Sequence, residues 1–209
     1  MGRPGIARSI GHQRWGILGG SFDPIHFGHL AIAEQARDAL ELTGVRFIPA
    51  GNPVHKDVPR ASSSHRLRMV ELAVGDNAAF VADAIEINSD RPSYTVDTLQ
   101  QLTTQAPECE WTLIISAEAA RALPEWRNPD RILELARVAV VPRLGYPDLT
   151  PDWLAASFPG REDRFTILDT TRLGHSSTDI RDRIRDGRSI RYLVPAAVEA
   201  YIGDNALYG

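Results

Sequence analysis

The chain has 209 residues, 43% of them apolar and 24% charged, which is enough apolar material to bury one sizeable core. Its net charge of −4 argues against a general nucleic-acid binder, which carries a basic face, while leaving room for a locally positive pocket that takes a phosphorylated small molecule. No apolar run reaches membrane-spanning length, and the single cysteine, Cys109, excludes an internal disulfide and suits a reducing compartment such as the cytoplasm.

Residues 1–13 mix Gly, Arg, Pro and Ser without an apolar stretch, so they read as a loose extension and not as a secretory signal. Residues 15–18 read as a first strand, followed by a turn and a helix over about residues 27–42 that Gly44 can cap. An extended run covers residues 45–49, and Ser64 offers an N-cap for a helix over residues 65–74. Residues 80–87 alternate as a strand does, and residues 94–105 follow a helical pattern. Cys109 itself reads as a small, half-buried apolar side chain. Residues 111–115 form the near-continuous apolar run of a buried parallel strand. Residues 117–123 favour a helix that Pro124 stops, and Asn128-Pro129 opens another with proline in its first turn. Residues 138–141 and 165–168 are two further strands. Thr150-Pro151 and Val194-Pro195 each start a short helix, and Gly187 and Gly203 each end one. The charged stretches 161–164 and 181–191 mix both signs, the first reading as a solvated loop and the second mostly as a solvated helix face.

Strands alternating with helices imply a parallel sheet with helices on both faces, and right-handed crossovers make this a Rossmann-like, doubly wound α/β fold. No repeat, low-complexity tract or linker divides the chain, so residues 14–209 are expected to form a single domain.

The strongest chemical signal is Gly19-Gly20-Ser21-Phe22-Asp23-Pro24-Ile25-His26-Phe27-Gly28-His29, at the end of the first strand and the start of the first helix. Open α/β sheets bind ligands there. Gly19 and Gly20 let the backbone turn tightly and approach a phosphate, and the helix N-terminus offers free amides to an anion. His26 and His29 are three residues apart and share a helical face, so both imidazoles can converge on one phosphate oxygen, with Gly28 keeping that face open. The helix dipole disfavours imidazolium there, so at least one ring is expected to be neutral. Asp23 reads as part of the tight turn with Pro24.

A second signal is Ser176-Ser177-Thr178-Asp179-Ile180-Arg181, three hydroxyls at a helix start with a guanidinium about one turn in. The plain reading is a capped amphipathic helix; the chemical one is a cradle for nucleotide phosphates.

Together the two motifs resemble the signature of the HxGH nucleotidyltransferases, and more closely that of bacterial nicotinate-nucleotide adenylyltransferases, from about residue 14 to residue 201. The resemblance implies adenylyl transfer from ATP to nicotinate mononucleotide, giving deamido-NAD and pyrophosphate. His26 and His29 would stabilise the α-phosphate, and Lys56, in the loop after the second strand, and Arg181 would hold the departing phosphates with Ser177, Thr178 and Ile180. Gly19, Gly20, Ser21, Phe22 and Gly28 would line the nucleotide. The segment Ser93-Tyr94-Thr95-Val96-Asp97-Thr98-Leu99 implies that Thr95 receives the pyridine carboxylate, although Ser93 or Thr95 as a plain N-cap also explains it; Trp126 would stack on the ring. Where the family carries Gly-x-Asp after the fourth strand, this chain has Ser116-Ala117-Glu118, so Glu118 is the expected ribose acceptor on a longer arm. Arg143-Leu144-Gly145-Tyr146 resembles the family's RPGY turn and makes Arg143 a ligand candidate.

Magnesium is expected to arrive with ATP on its phosphates, since no carboxylates show metal-ligand spacing. The partners are then small molecules, with a homo-oligomer left open. Competing readings keep the chemistry but change the acceptor to nicotinamide mononucleotide or a pantetheine phosphate, or make the chain a nucleotide-binding protein with reduced turnover. A redox enzyme fails, because Gly19-Gly20 does not continue into GxGxxG spacing.

Overall fold

The computed structural model describes residues 13–52, 59–89, 91–171 and 174–209. Its strands are β1 (Arg14–Gly20), β2 (Gly44–Pro49), β3 (Phe80–Ala82), β4 (Glu110–Ser116), β5 (Arg137–Val141) and β6 (Phe165–Ile167). Between and after them lie α1 (Phe27–Ala39), α2 (Ser63–Val74), α3 (Thr95–Gln105), α4 (Ala117–Ala122), α5 (Pro129–Leu135), α6 (Pro151–Ser157), α7 (Ser177–Arg185) and α8 (Ala196–Asp204). The described strands form one parallel sheet in the order β3-β2-β1-β4-β5-β6. That is the doubly wound Rossmann order, in which the winding direction reverses between β1 and β4.

Because successive strand residues point to opposite faces, each strand feeds two cores. Leu18, Val45, Phe47, Ile114, Ala139 and Val141 join the core under α1, α2, α7 and α8. Ile17, Ile48, Leu113, Ile115, Val138 and Val140 join the one under α3, α4, α5 and α6. The helices carry matching stripes: Val96, Leu99 and Leu102 on α3 recur every three residues and are fully covered. Among the described residues no helix is long and apolar enough to cross a membrane.

Several local expectations are corrected. The cap of α2 is Ser62, whose hydroxyl accepts from the His65 amide at 3.4 Å, and not Ser64. The third strand stops at Ala82 instead of running to residue 87, because the Asp83 carboxylate turns back to accept from the Ile85 amide at 3.0 Å. Gly44 does not cap α1, which ends at Ala39; it opens β2, where a Cβ would strike the Ala79 carbonyl and the Trp15 ring. Pro124 sits inside a 3-10 turn, Leu123–Glu125, that continues α4. Gly203 lies inside α8, whereas Gly187, at φ 66°, does follow the end of α7. The stretch 161–164 is no mere solvated loop: Glu162–Arg164 is a 3-10 turn, and Arg164 Nε donates to the Leu133 carbonyl at 2.8 Å.

Candidate active site

The site is built where β1 and β4 end side by side, at the point where the sheet changes winding direction. Gly19 faces open space, while a Cβ on Gly20 would lie 3.4 Å from the Phe22 ring. Phe22 adopts φ 47° and turns its ring inward, edge-on to His29 at 5.0 Å and against Phe47 at 6.0 Å. Its side chain is therefore packing that fixes His29 from behind.

His26 is the N-cap of α1 in an extended conformation, and only 5% of it is exposed. Its ring lies parallel to that of His29, with centroids 3.7 Å apart and planes 18° apart. The His26 amide donates to His29 Nδ1 at 3.3 Å. That lone pair is thus in use, and a neutral His29 carries its proton on Nε2. The proton affinity of His26 is lowered to about 3, first by burial and then by the nearby charges of His175 and Arg143. The neutral ring expected from the helix dipole is found, but desolvation is its main cause. Gly28 also leaves room for the neighbouring rings: a Cβ there would meet both the His26 ring and the His175 Cβ at 3.0 Å.

Asp23 does more than turn the chain. Its buried carboxylate accepts from the Arg60 amide at 2.8 Å, the Ala61 amide at 3.0 Å and the Tyr208 hydroxyl at 2.8 Å. Burial, and then the Asp23 charge, raise the Tyr208 phenol above its ordinary range, so it stays a donor. Arg66, 1% exposed, completes the brace from below. It donates to the carbonyls of Ser21 at 2.7 Å, Ala50 at 2.6 Å and Ala61 at 3.3 Å. Ser93 Oγ accepts from the amides of Gly51 and Asn52 at 3.1 and 3.2 Å, so the loop that leaves β2 is held at both ends. Ser93 is thereby a loop clamp and not a helix cap; the N-cap of α3 is Tyr94. Lys56, expected in that loop, lies outside the described residues, as does His55.

The second motif comes to the first. The Ser177 hydroxyl donates to the Pro24 carbonyl at 2.9 Å, and Arg181 donates to the Asp23 carbonyl at 2.7 Å and to the Thr178 hydroxyl at 3.1 Å. Arg181 also lies 3.8 Å from the Asp23 carboxylate. The start of α7 is thus fastened beside the start of α1. Ile180, expected beside the nucleotide, has its side chain in the core and its amide bonded to the Ser176 carbonyl, and it also borders the cavity at the start of α7. A cavity of about 260 Å³ opens at this helix start, lined by His175, Ser176, Asp179 and Leu193 among others.

On the β4 side, Ser116 caps α4 by accepting from the Ala119 amide at 3.2 Å. Glu118 and Arg143, each expected to face a ligand, here pair with one another at 2.6 Å, and the Tyr146 hydroxyl donates to Glu118 at 3.0 Å. Thr95 opens α3, and half-buried Trp126 ends the 3-10 turn that follows α4. Arg127 links these two elements: it reaches Asp97 at 3.2 Å and lies over the Tyr94 ring at 4.7 Å. The turn bearing Trp126 is thereby pinned to the helix end bearing Thr95.

Sequence reasoning missed Arg66, Tyr208, His175 and Arg127. An arginine within an amphipathic helix reads as exposed, and nothing in the local pattern betrays a buried one. Asp23, inside the motif, was the only available hint of the brace.

The chain matches the cytidylyltransferase-like family over residues 17–183. A relative from Roseiflexus sp. (strain RS-1), named "Probable nicotinate-nucleotide adenylyltransferase", is 49% identical over 194 residues, covering 92% of this chain and 96% of its own. Another of that name, from Herpetosiphon aurantiacus, is 41% identical over 94% of this chain and 98% of its own. The fold is shared with the Plasmodium falciparum nicotinic acid mononucleotide adenylyltransferase complexed with NaAD, at TM-score 0.78 and 16% identity over 94% of this chain and 98% of that one. The chain belongs to the cytidylyltransferase-like family and, within it, to the nicotinate-nucleotide adenylyltransferases.

Proposed function

We infer that the protein transfers the adenylyl group of ATP to nicotinate mononucleotide, releasing pyrophosphate and forming deamido-NAD for NAD biosynthesis. The observation that carries this reading is the stacked His26–His29 pair at the end of β1, with the start of α7 fastened beside it through Ser177 and Arg181. Two nearby imidazoles and a helix N-terminus suit charge that develops on a phosphate.

A phosphate oxygen of the mononucleotide attacks the α-phosphorus of ATP in line. The new O–P bond forms as the bond to the β-phosphate bridging oxygen breaks, and pyrophosphate leaves with that electron pair. Catalysis is then positioning plus charge stabilisation. His29 and the neutral His26 face the α-phosphate. Ser177, Thr178, Arg181 and Lys56 take the departing phosphates; Arg181 has five N–H donors, so its two bonds within the protein leave others for ligand. Gly19, Gly20, Ser21 and Phe22 shape the turn beneath the nucleotide. Ser116 and Glu118 address its ribose and Arg143 the nucleotide edge, which requires the Glu118–Arg143 pair to open or share. Thr95 receives the pyridine carboxylate and Trp126 stacks on the ring.

Among the described residues no three His, Cys, Asp or Glu side chains are grouped to hold a metal ion. The carboxylate nearest the reaction, Asp23, already has its acceptors in use. We therefore place magnesium on the phosphates and waters, brought in with ATP. The lone cysteine supports the cytoplasm as the compartment.

The test is pyrophosphate release with ATP, magnesium and either nicotinate or nicotinamide mononucleotide. Release strongly favouring the nicotinate form is the expected result. Equal release with both removes the carboxylate recognition assigned to Thr95, and release with neither removes the reaction.

A further inference from the structure

Resting on that reading, a third imidazole enters the site. His175 immediately precedes the start of α7, and its ring faces that of His26 at 6.0 Å between centroids, with planes 26° apart. Glycine at residue 28 makes room for this approach: a Cβ there would lie 3.0 Å from the His175 Cβ and 3.0 Å from His26 Cε1 and Nδ1, close enough to push the rings apart by a few tenths of an ångström. His26 Nδ1 and His175 Nδ1 are both buried without a hydrogen-bond partner among the described residues. With Nδ1 unpaired, packing is left to hold much of the His26 ring's orientation, through His29 stacked on it and His175 facing it across Gly28. The titratable and charged groups around His26 are His29 on its own helix, His175 ahead of α7 and Arg143 after β5. None of them is an anion that would favour an imidazolium.

We propose that His175 is a positioning residue for the reaction: packed against His26 across Gly28, it holds that imidazole parallel to His29 and uncharged. The burial that keeps His26 neutral is in part supplied by the His175 ring, and any charge on His175 opposes a second charge on His26. A ring displaced by about an ångström loses alignment with the reacting phosphate.

The test compares kcat, both KM values and the pH profile of kcat in the full chain, in His175→Ala and in His175→Phe, with His29→Ala as reference. His175→Ala should lower kcat about tenfold with both KM values within about twofold of the parent. The acid limb of its kcat profile should move to higher pH, towards the ordinary histidine value of 6.5, because water reaches His26. His175→Phe, which restores a flat ring, should recover most of kcat. A lowered melting temperature in His175→Ala with kcat and its acid limb unmoved would overturn the proposal and make His175 packing alone. Equal losses in both variants would overturn it too. If His29→Ala loses turnover while both His175 variants keep parental kcat, this proposal alone falls; if His29→Ala keeps turnover, the reading beneath it falls and this proposal with it.

Discussion

At the scale of single residues, two histidines three positions apart carry different burdens. His29 is half-buried, its Nδ1 occupied by the His26 amide, and it is the better placed to donate to a developing charge. His29→Ala should lower kcat by about 10²–10³-fold in a protein whose circular dichroism is unchanged. His26 is instead a buried base with a folded-state value of about 3 against 6.5 when exposed. Below pH 6.5 the unfolded chain binds a proton that the native chain refuses, so stability is full above that value. It is lost at about 1.4 kcal/mol per pH unit as pH falls towards 3. His26→Asn should flatten that slope in urea unfolding between pH 4 and 7; an unaltered slope would place the ring in water. Trp126→Ala should raise the KM for mononucleotide and leave that for ATP unchanged, and unchanged values for both would refute stacking.

At the scale of elements, the site depends on how loops and helix starts are tied together. The turn after β1, the end of β2 and the segment before α2 share two buried side chains, Asp23 and Arg66, beyond the point where the β1–β2 ladder ends with the Ala50 amide on the Gly20 carbonyl. Burial lowers the proton affinity of the Arg66 guanidinium, with Asp23 opposing the shift, so its retention rests on the carbonyls it satisfies. Arg66→Met should cost about 3 kcal/mol or more, because the carbonyls of Ser21, Ala50, Gly51 and Ala61 lose a charged donor. Chemical denaturation measures this directly, and a loss below about 1 kcal/mol would mean that water replaces the guanidinium freely. These ties also show where reading along the chain stops short. The helix starts at residues 27 and 177 were legible from glycine and hydroxyl chemistry. That Ser177 bonds Pro24, 153 positions away, was not. Ser62 displaced Ser64 as a cap for a similar reason: the choice among neighbouring serines is set by how the preceding segment, itself held by Asp23, enters the helix.

At the scale of the molecule, the sheet makes two cores into one cooperative unit. Every central strand supplies both faces, so one core cannot be lost without stripping the other side of the same strands. All four tryptophans, Trp15, Trp111, Trp126 and Trp153, lie on the α3 side. Tryptophan fluorescence therefore reports that side, while far-ultraviolet circular dichroism reports both. The two signals should give coincident denaturation curves, and separated midpoints would show the cores to be independent. The Tyr208–Asp23 bond closes the chain over the site, joining residues 185 positions apart.

The sequence by itself determined the alternation of strands and helices, hence the doubly wound sheet, and the two motifs whose glycines, histidines and hydroxyls mark its ligand-binding end. Those are local properties, written in hydrophobic period and in residues with special backbone or capping chemistry. Only the tertiary structure decided that desolvation keeps His26 neutral, that Arg66 is buried, that Glu118 meets Arg143, and that His175 stands against Gly28. Each of these depends on distance through space between residues far apart in the chain, and on the exclusion of water by packing, neither of which a local pattern records.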